Sequence, residues 1–132
     1  MKTTLLSVLC MLMACVGSSQ TSLKFCVEAG KDGNCKSNSS HFTISSAGGT
    51  ITFLLKNEKG LGTTKVAYKI FKLTEDGKAN FNNTIEQDLQ PNWNYAWEEA
   101  VFYDPGTYKV MVYNSSGQGE LICVGILKIF TQ

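Results

Sequence analysis

Thr64-Lys65-Val66-Ala67-Tyr68-Lys69-Ile70-Phe71-Lys72-Leu73 is the longest clearly alternating run in this chain. Val66, Tyr68 and Ile70 fall on one side of an extended backbone, opposed to Lys65, Ala67 and Lys69. That is the period-two pattern of a strand with one face in a core and the other in water. Glu75-Asp76-Gly77-Lys78 follows at once, and Asp-Gly readily supplies the positive φ that a tight hairpin needs. The unit defined here is a strand and a turn. No apolar period of 3.6 residues and useful length appears anywhere after Gln20.

The same grammar repeats outward in both directions. Upstream, Leu23 to Glu28, His41 to Ser45 and Thr50 to Asn57 read as strands. In the last of these Ile51, Phe53 and Leu55 share a face. Glu58-Lys59-Gly60-Leu61-Gly62 is a loop. Downstream, Asn83 to Leu89 is a weaker strand and Trp93 to Tyr103 another, closed by Asp104-Pro105-Gly106. Thr107 to Tyr113 sets Tyr108, Val110 and Val112 against Lys109, Met111 and Tyr113. Gly119 to Phe130 ends the chain, with Gly125 placed as a bulge. Its core, Leu121 to Ile129, is apolar on both faces, which predicts a central or covered position. Seven or eight strands in one domain, residues 20–132, predict an all-β, antiparallel two-sheet sandwich.

Asp104-Pro105-Gly106-Thr107-Tyr108-Lys109-Val110 carries a resemblance to the immunoglobulin-like families. In them an acidic residue, a small residue and a Tyr at alternate positions form a tyrosine corner, and Asp104, Gly106 and Tyr108 hold those places. The resemblance implies that the Tyr108 hydroxyl bonds back to the chain near the preceding corner. The chain departs from the antibody pattern, whose inter-sheet disulfide would need Cys near Phe53 and Val110. A looser likeness runs through Thr63, the Asp-Gly turn, Gln90-Pro91-Asn92-Trp93 and Phe102 to Tyr108. Over these the chain is similar to small exported sandwich proteins of Bacteroidetes-type bacteria, which bring no named activity.

The N-terminus has Lys2, then an uncharged, mainly apolar stretch from Thr3 to Ala14, then Gly17, Ser18 and Ser19. This is the layout of a cleaved secretory signal, residues 1–19, too short to span a bilayer. Leu12-Met13-Ala14-Cys15 resembles a bacterial lipobox, departing from it at Met13. On that reading the signal is 1–14, and a lipid on Cys15 is the only contact with a membrane. Either cut leaves Cys26, Cys35 and Cys123 in a compartment where a disulfide is expected. The turn Gly30-Lys31-Asp32-Gly33 puts Cys26 and Cys35 on facing arms of a hairpin. Cys26–Cys123 is the competing pair, and the odd thiol is expected to be a buried small hydrophobe.

Charge excludes several functions. All 12 basic residues are Lys, so the bidentate guanidinium fork is missing. Removing Lys2 leaves basic and acidic residues in equal number, so no field gathers nucleic acid or anionic lipid. A Cys–His nucleophile could use only the single His, His41, and no signature surrounds it. Glu98 and Glu99 are adjacent in a strand and point to opposite faces, so they cannot flank one bond. Asp32-Gly33-Asn34 and Glu75-Asp76-Gly77 lack the ligand series of a calcium loop and read as turns. No catalytic residue, metal site or cofactor is expected. Asn38-Ser39-Ser40, Asn82-Asn83-Thr84 and Asn114-Ser115-Ser116 fit the N-glycosylation pattern and fall at loops or strand ends.

Gln90-Pro91-Asn92-Trp93-Asn94-Tyr95-Ala96-Trp97 is the most informative cluster. Fully extended, it sets Trp93, Tyr95 and Trp97 on one face and Asn92 and Asn94 on the other. Exposed, such a row suits stacking on sugar rings. The competing reading buries the rings in the core, which a small sandwich short of apolar volume favours. The expected function is a non-catalytic exported module that binds a protein through a sheet face or loop end. Carbohydrate recognition through the aromatic row is the alternative.

Overall fold

The computed structural model describes residues 21–30 and 32–132. The expected signal peptide and Cys15 lie outside the described residues. Ten strands follow one another: β1 (Ser22–Cys26), β2 (Glu28–Ala29), β3 (Cys35–Lys36), β4 (His41–Ile44) and β5 (Gly49–Lys56) come first. They are followed by β6 (Lys65–Leu73), β7 (Ala79–Asp88), β8 (Tyr95–Phe102), β9 (Gly106–Asn114) and β10 (Leu121–Thr131). One sheet has the order β1-β5-β8 and the other β4-β10-β9-β6-β7, with β2 and β3 forming a separate small hairpin. All pairings are antiparallel except β4 with β10, which is parallel. The fold is the expected two-sheet sandwich.

The central run follows its alternation except at Ala67, which shares the outer face with Lys65 and Lys69 but is buried, between its cross-strand neighbours Glu86 and Tyr113. Val66, Tyr68 and Ile70 of β6 are buried, whereas Lys69 is exposed. The Asp-Gly turn closes the β6–β7 hairpin, with Thr74 N–H bonded to the Lys78 carbonyl at 2.8 Å. β7 begins at Ala79, ahead of the expected Asn83, because pairing with β6 continues to the turn although most of its side chains are exposed.

Phe53 sits at the centre of the core, fully buried. Its ring centroid lies 5.4 Å from Phe25, 5.9 Å from Tyr68 and 6.3 Å from Phe102. Phe25, Phe53 and Phe102 come from the three-stranded sheet and Tyr68 from the five-stranded one, so this cluster joins the layers. Phe53 and Val110, where an antibody-type domain would carry its bridging cysteines, are both fully buried apolar residues. Aromatic packing occupies the place of a covalent link.

One sequence expectation changes at β10. The register irregularity lies between Leu121 and Cys123, so the bulge is there and not at Gly125. Gly125 instead permits close approach: a Cβ on it would lie 2.7 Å from the Phe25 ring and 3.2 Å from Leu23. The strand holds the expected central position, though its outer face is uncovered. It lies between β4 and β9, but Val124, Ile126 and Phe130 on its outer face are exposed.

In β5, by contrast, burial extends to both faces. Ile51, Phe53 and Leu55 face the core, and Thr52 and Leu54 on the reverse side are buried as well. The β2–β3 hairpin lies against β5 on that reverse side.

Substituting Gly125 with Val is expected to destabilise the fold by about 1–3 kcal/mol through overpacking against Phe25. Urea unfolding reads this as a lower midpoint at unchanged slope. An unchanged midpoint would show that the ring moves aside freely.

Candidate binding site

Trp93 is placed by a turn and not by a strand. Pro91 pre-sets the backbone for the turn's second position, and Trp93 N–H donates to the Gln90 carbonyl at 3.0 Å. The facing loop holds this segment by its backbone. Asn57 N–H donates to the Asn94 carbonyl at 2.8 Å, Leu61 N–H to Trp93 at 2.7 Å and Gly62 N–H to Pro91 at 2.9 Å. The extended alternation expected from Trp93 therefore begins only at Tyr95. This corrects the expected segregation of the amides. Asn94 shares a cavity with the three rings, and exposed Asn92 does not line it.

From Tyr95 onward the pleat governs. In register, Tyr95 opposes Lys56 and Trp97 opposes Leu54, which puts both rings on the outer side of the three-stranded sheet. They stack with centroids 6.1 Å apart and planes 13° from parallel. Trp93 is 45% exposed and Trp97 43%, which overturns the expectation that the row is core. The core is filled without them, by Phe25, Phe53, Phe102, Tyr68 and Tyr108.

Two supports back the rings: a hairpin whose disulfide the sequence predicted but whose contact with Tyr95 it did not, and a side chain it gave no sign of. The first is the small hairpin. Cys26 and Cys35 form a disulfide, with Cα atoms 5.5 Å apart. The facing-arm register expected for it is wrong, because Cys35 opposes Ala29 in the hairpin while Cys26 belongs to β1 and opposes Thr52. The bridge thus ties the hairpin to the sheet beneath it. Gly33 at its tip is buried with φ 78°, and a Cβ there would come within 2.6 Å of the Tyr95 ring. Only glycine meets both demands. Asp32 accepts hydrogen bonds from the Asn34 side chain at 2.7 Å and its backbone at 3.2 Å, which hold its carboxyl below the usual range.

The second support is Gln87 on β7. Its Oε1 accepts from the Tyr68 hydroxyl and its Nε2 donates to the Trp97 carbonyl, each at 2.7 Å. One amide thus satisfies a buried phenol and spans the seam between the sheets' edge strands. Burial, and secondarily the charge of Glu98, pushes the Tyr68 hydroxyl above its ordinary range. The result is a cavity of about 430 Å³ lined by Gln87, Trp93, Asn94, Tyr95, Ala96 and Trp97.

The other chemical candidates fall elsewhere. Cys123 packs half-buried against the core, where burial pushes its thiol up to about 12. His41 stacks on Phe130 at the far edge of the other sheet, its Nδ1 3.0 Å from the Ser40 hydroxyl. Glu98 opposes core residue Phe53, whereas Glu99 opposes Thr52 on the outer side. Asp76 accepts from Thr74 within its turn. Among the described residues, no three His, Cys, Asp or Glu side chains are arranged to hold a metal ion. Asn38 is exposed at a loop, and exposed Asn82 lies within β7, not at a strand end. The Asn114 side chain accepts hydrogen bonds from Thr63, Ser116 and Gly117. The Tyr108 hydroxyl donates to the Asp104 carbonyl at 2.8 Å, closing the corner before β9.

No family model and no curated protein matches the sequence. Solved structures do match. An immunoglobulin-like protein from Pseudomonas aeruginosa is similar at a TM-score of 0.52 and 14% identity, over 82% of this chain and 91% of that one. The PmoD soluble domain from Methylocystis sp. ATCC 49242 (Rockwell) is similar at a TM-score of 0.52 and 13% identity, over 83% and 90%. The chain has an immunoglobulin-like fold. At such identities the likeness is one of architecture, and the disulfide within that architecture points to an oxidising, extracytoplasmic compartment.

Two outcomes follow for the thiols. Replacing Cys26 and Cys35 with Ser is expected to cost about 2–3 kcal/mol. It should also shift tryptophan emission to the red as the hairpin backing Tyr95 loosens, and an unshifted spectrum would show that the rings hold their place without it. For Cys123, the unfolded thiol ionises near 9 while the folded one stays protonated to about 12. The unfolded state therefore binds fewer protons in that window, and stability falls as pH rises from 9 toward 12. Cys123→Ala should delay the onset until tyrosine ionises, near 10. Identical alkaline melting of both proteins would contradict the burial argument.

Proposed function

We propose that this chain is an exported, non-catalytic immunoglobulin-like module that docks a protein partner on the outer face of its five-stranded sheet. The supporting observation is a continuous row of side chains. Phe81 of β7 opposes Phe71 of β6, Phe71 opposes Lys109 of β9, and Lys109 opposes Ile126 of β10. Flanking rows add Met111 with Val124 on one side and Phe130 on the other. Phe81 is 64% exposed and Phe130 50%. Single exposed apolar residues are ordinary, but a contiguous set across one sheet is a feature of interaction surfaces.

Charge narrows the partner. Lys69, Lys109 and Lys128 stand among these apolar groups, with Lys69 held 4.9 Å over the Tyr113 ring. The acids on the β7 part of this face, Glu86 and Asp88, are 3.5 Å and 4.0 Å from Lys65 at its edge. A second copy of the face would set lysine against lysine, which opposes self-association. A partner presenting carboxylates beside apolar side chains fits both features.

A peptide-display selection against the folded protein tests this. Enriched sequences should combine Asp or Glu with aromatic or branched residues and weaken as salt rises. Their affinity should drop at least about tenfold in Ile126→Glu and in Lys109→Glu, as for a central interface residue. Binders indifferent to both substitutions would place the docking surface elsewhere.

A further inference from the structure

We infer that the cavity at the β7–β8 seam is a second binding site, on the opposite side of the sandwich from the docking face, and that its ligand is an uncharged pyranose sugar. Three independent features of the cavity agree on that chemistry.

The first is the wall. Three aromatic rings contribute to it, two of them stacked nearly parallel, and the two tryptophans of the chain are both among them. An aromatic face is electron-rich at its centre, so it attracts weakly polarised C–H groups presented in a plane. A pyranose in its chair form offers such a plane of axial hydrogens while its hydroxyls point outward around the rim.

The second is the polar complement. The Asn94 amide, with its donors and acceptor, and the one Gln87 Nε2–H not spent on the Trp97 carbonyl are matched to hydroxyl groups that both give and take hydrogen bonds. None of the lining residues carries a charge, so nothing there offsets the desolvation of a phosphate, carboxylate or ammonium. The combination of an apolar wall and a few convergent polar groups is what orients a small ligand in a pocket.

The third is preorganisation. Tyr95 is backed by the buried Gly33 of the disulfide-tied hairpin, Trp97 by the Gln87 bridge, and Trp93 by backbone hydrogen bonds from the 57–62 loop. Sugars lose affinity readily when a site must order itself, so rings held in place before binding matter more here than additional contacts. The predicted consequence is that the hairpin disulfide, remote from the ligand, governs affinity through Tyr95.

The experiment is a titration of the oxidised protein with defined neutral oligosaccharides of glucose, mannose, xylose and N-acetylglucosamine, with polygalacturonate as the anionic control. Tryptophan emission is the reporter, and because both tryptophans line the cavity it reads this site alone. Saturable quenching or a blue shift with at least one neutral series is expected. Affinity should fall at least about tenfold in Trp97→Ala, less in Trp97→Phe, and measurably in the Cys26→Ser/Cys35→Ser protein. Ile126→Glu, on the docking face, should bind sugar as the parent does. Circular dichroism and melting of each variant separate loss of binding from loss of fold. Silence of every neutral series with a folded protein overturns the inference, as does binding of the anionic polymer alone. Undiminished affinity in a folded Trp97→Ala protein overturns it equally. None of these results bears on the docking face, whose own test uses peptides.

Discussion

Phe53 is where the two layers of this sandwich meet. Its ring touches partners from its own sheet and, through Tyr68, the facing one, in tilted and edge-on geometries that suit the quadrupoles of aromatic pairs. Each such pair contributes about 0.5–1.5 kcal/mol beyond the area it removes from water. The residues at the two positions of an inter-sheet disulfide are simply apolar. Inter-sheet cohesion is therefore a packing property, and it depends on volume at each inner position more than on any single bond.

That choice frees the cysteines for a different task. Cys26 and Cys35 fasten an accessory hairpin onto the outside of the three-stranded sheet, where Gly33 comes up against Tyr95. The core itself reaches the same place by another route, because the buried Tyr68 needs a hydrogen-bond partner and finds it in Gln87, whose amide also holds Trp97. The aromatic wall is thus buttressed from the surface by a covalent tie and from the interior by a polar one. Glu98 turns inward on the same edge strand, opposite Phe53. A charge directed inward there discourages another strand from pairing along the edge. The edge is thereby closed to indiscriminate β-pairing.

The two faces of the molecule differ in chemistry. The five-stranded sheet shows apolar rows studded with lysine, broad and shallow. The seam beside the three-stranded sheet shows a concave, uncharged, aromatic cavity. Broad surfaces of the first kind suit macromolecules, and concave ones of the second kind suit small neutral groups.

Alternation in the sequence determined the strands, the Asp-Gly hairpin and the sandwich class, because side chains on a pleat have only two directions and solvent decides between them. It also made the Cys26–Cys35 bond legible, since turn residues between two nearby cysteines bring them close. Only the tertiary structure decided what lies on each face. The exposure of Trp93 and Trp97 depends on whether other residues fill the core first, and that is a sum over distant positions that no local window contains. The same holds for Gly125, whose missing side chain matters because Phe25, a hundred residues earlier in the chain, packs there. Gln87 carried no signal at all, its role arising from two edge strands that meet only when the sheets close. Local pattern specifies direction, and long-range packing specifies neighbours.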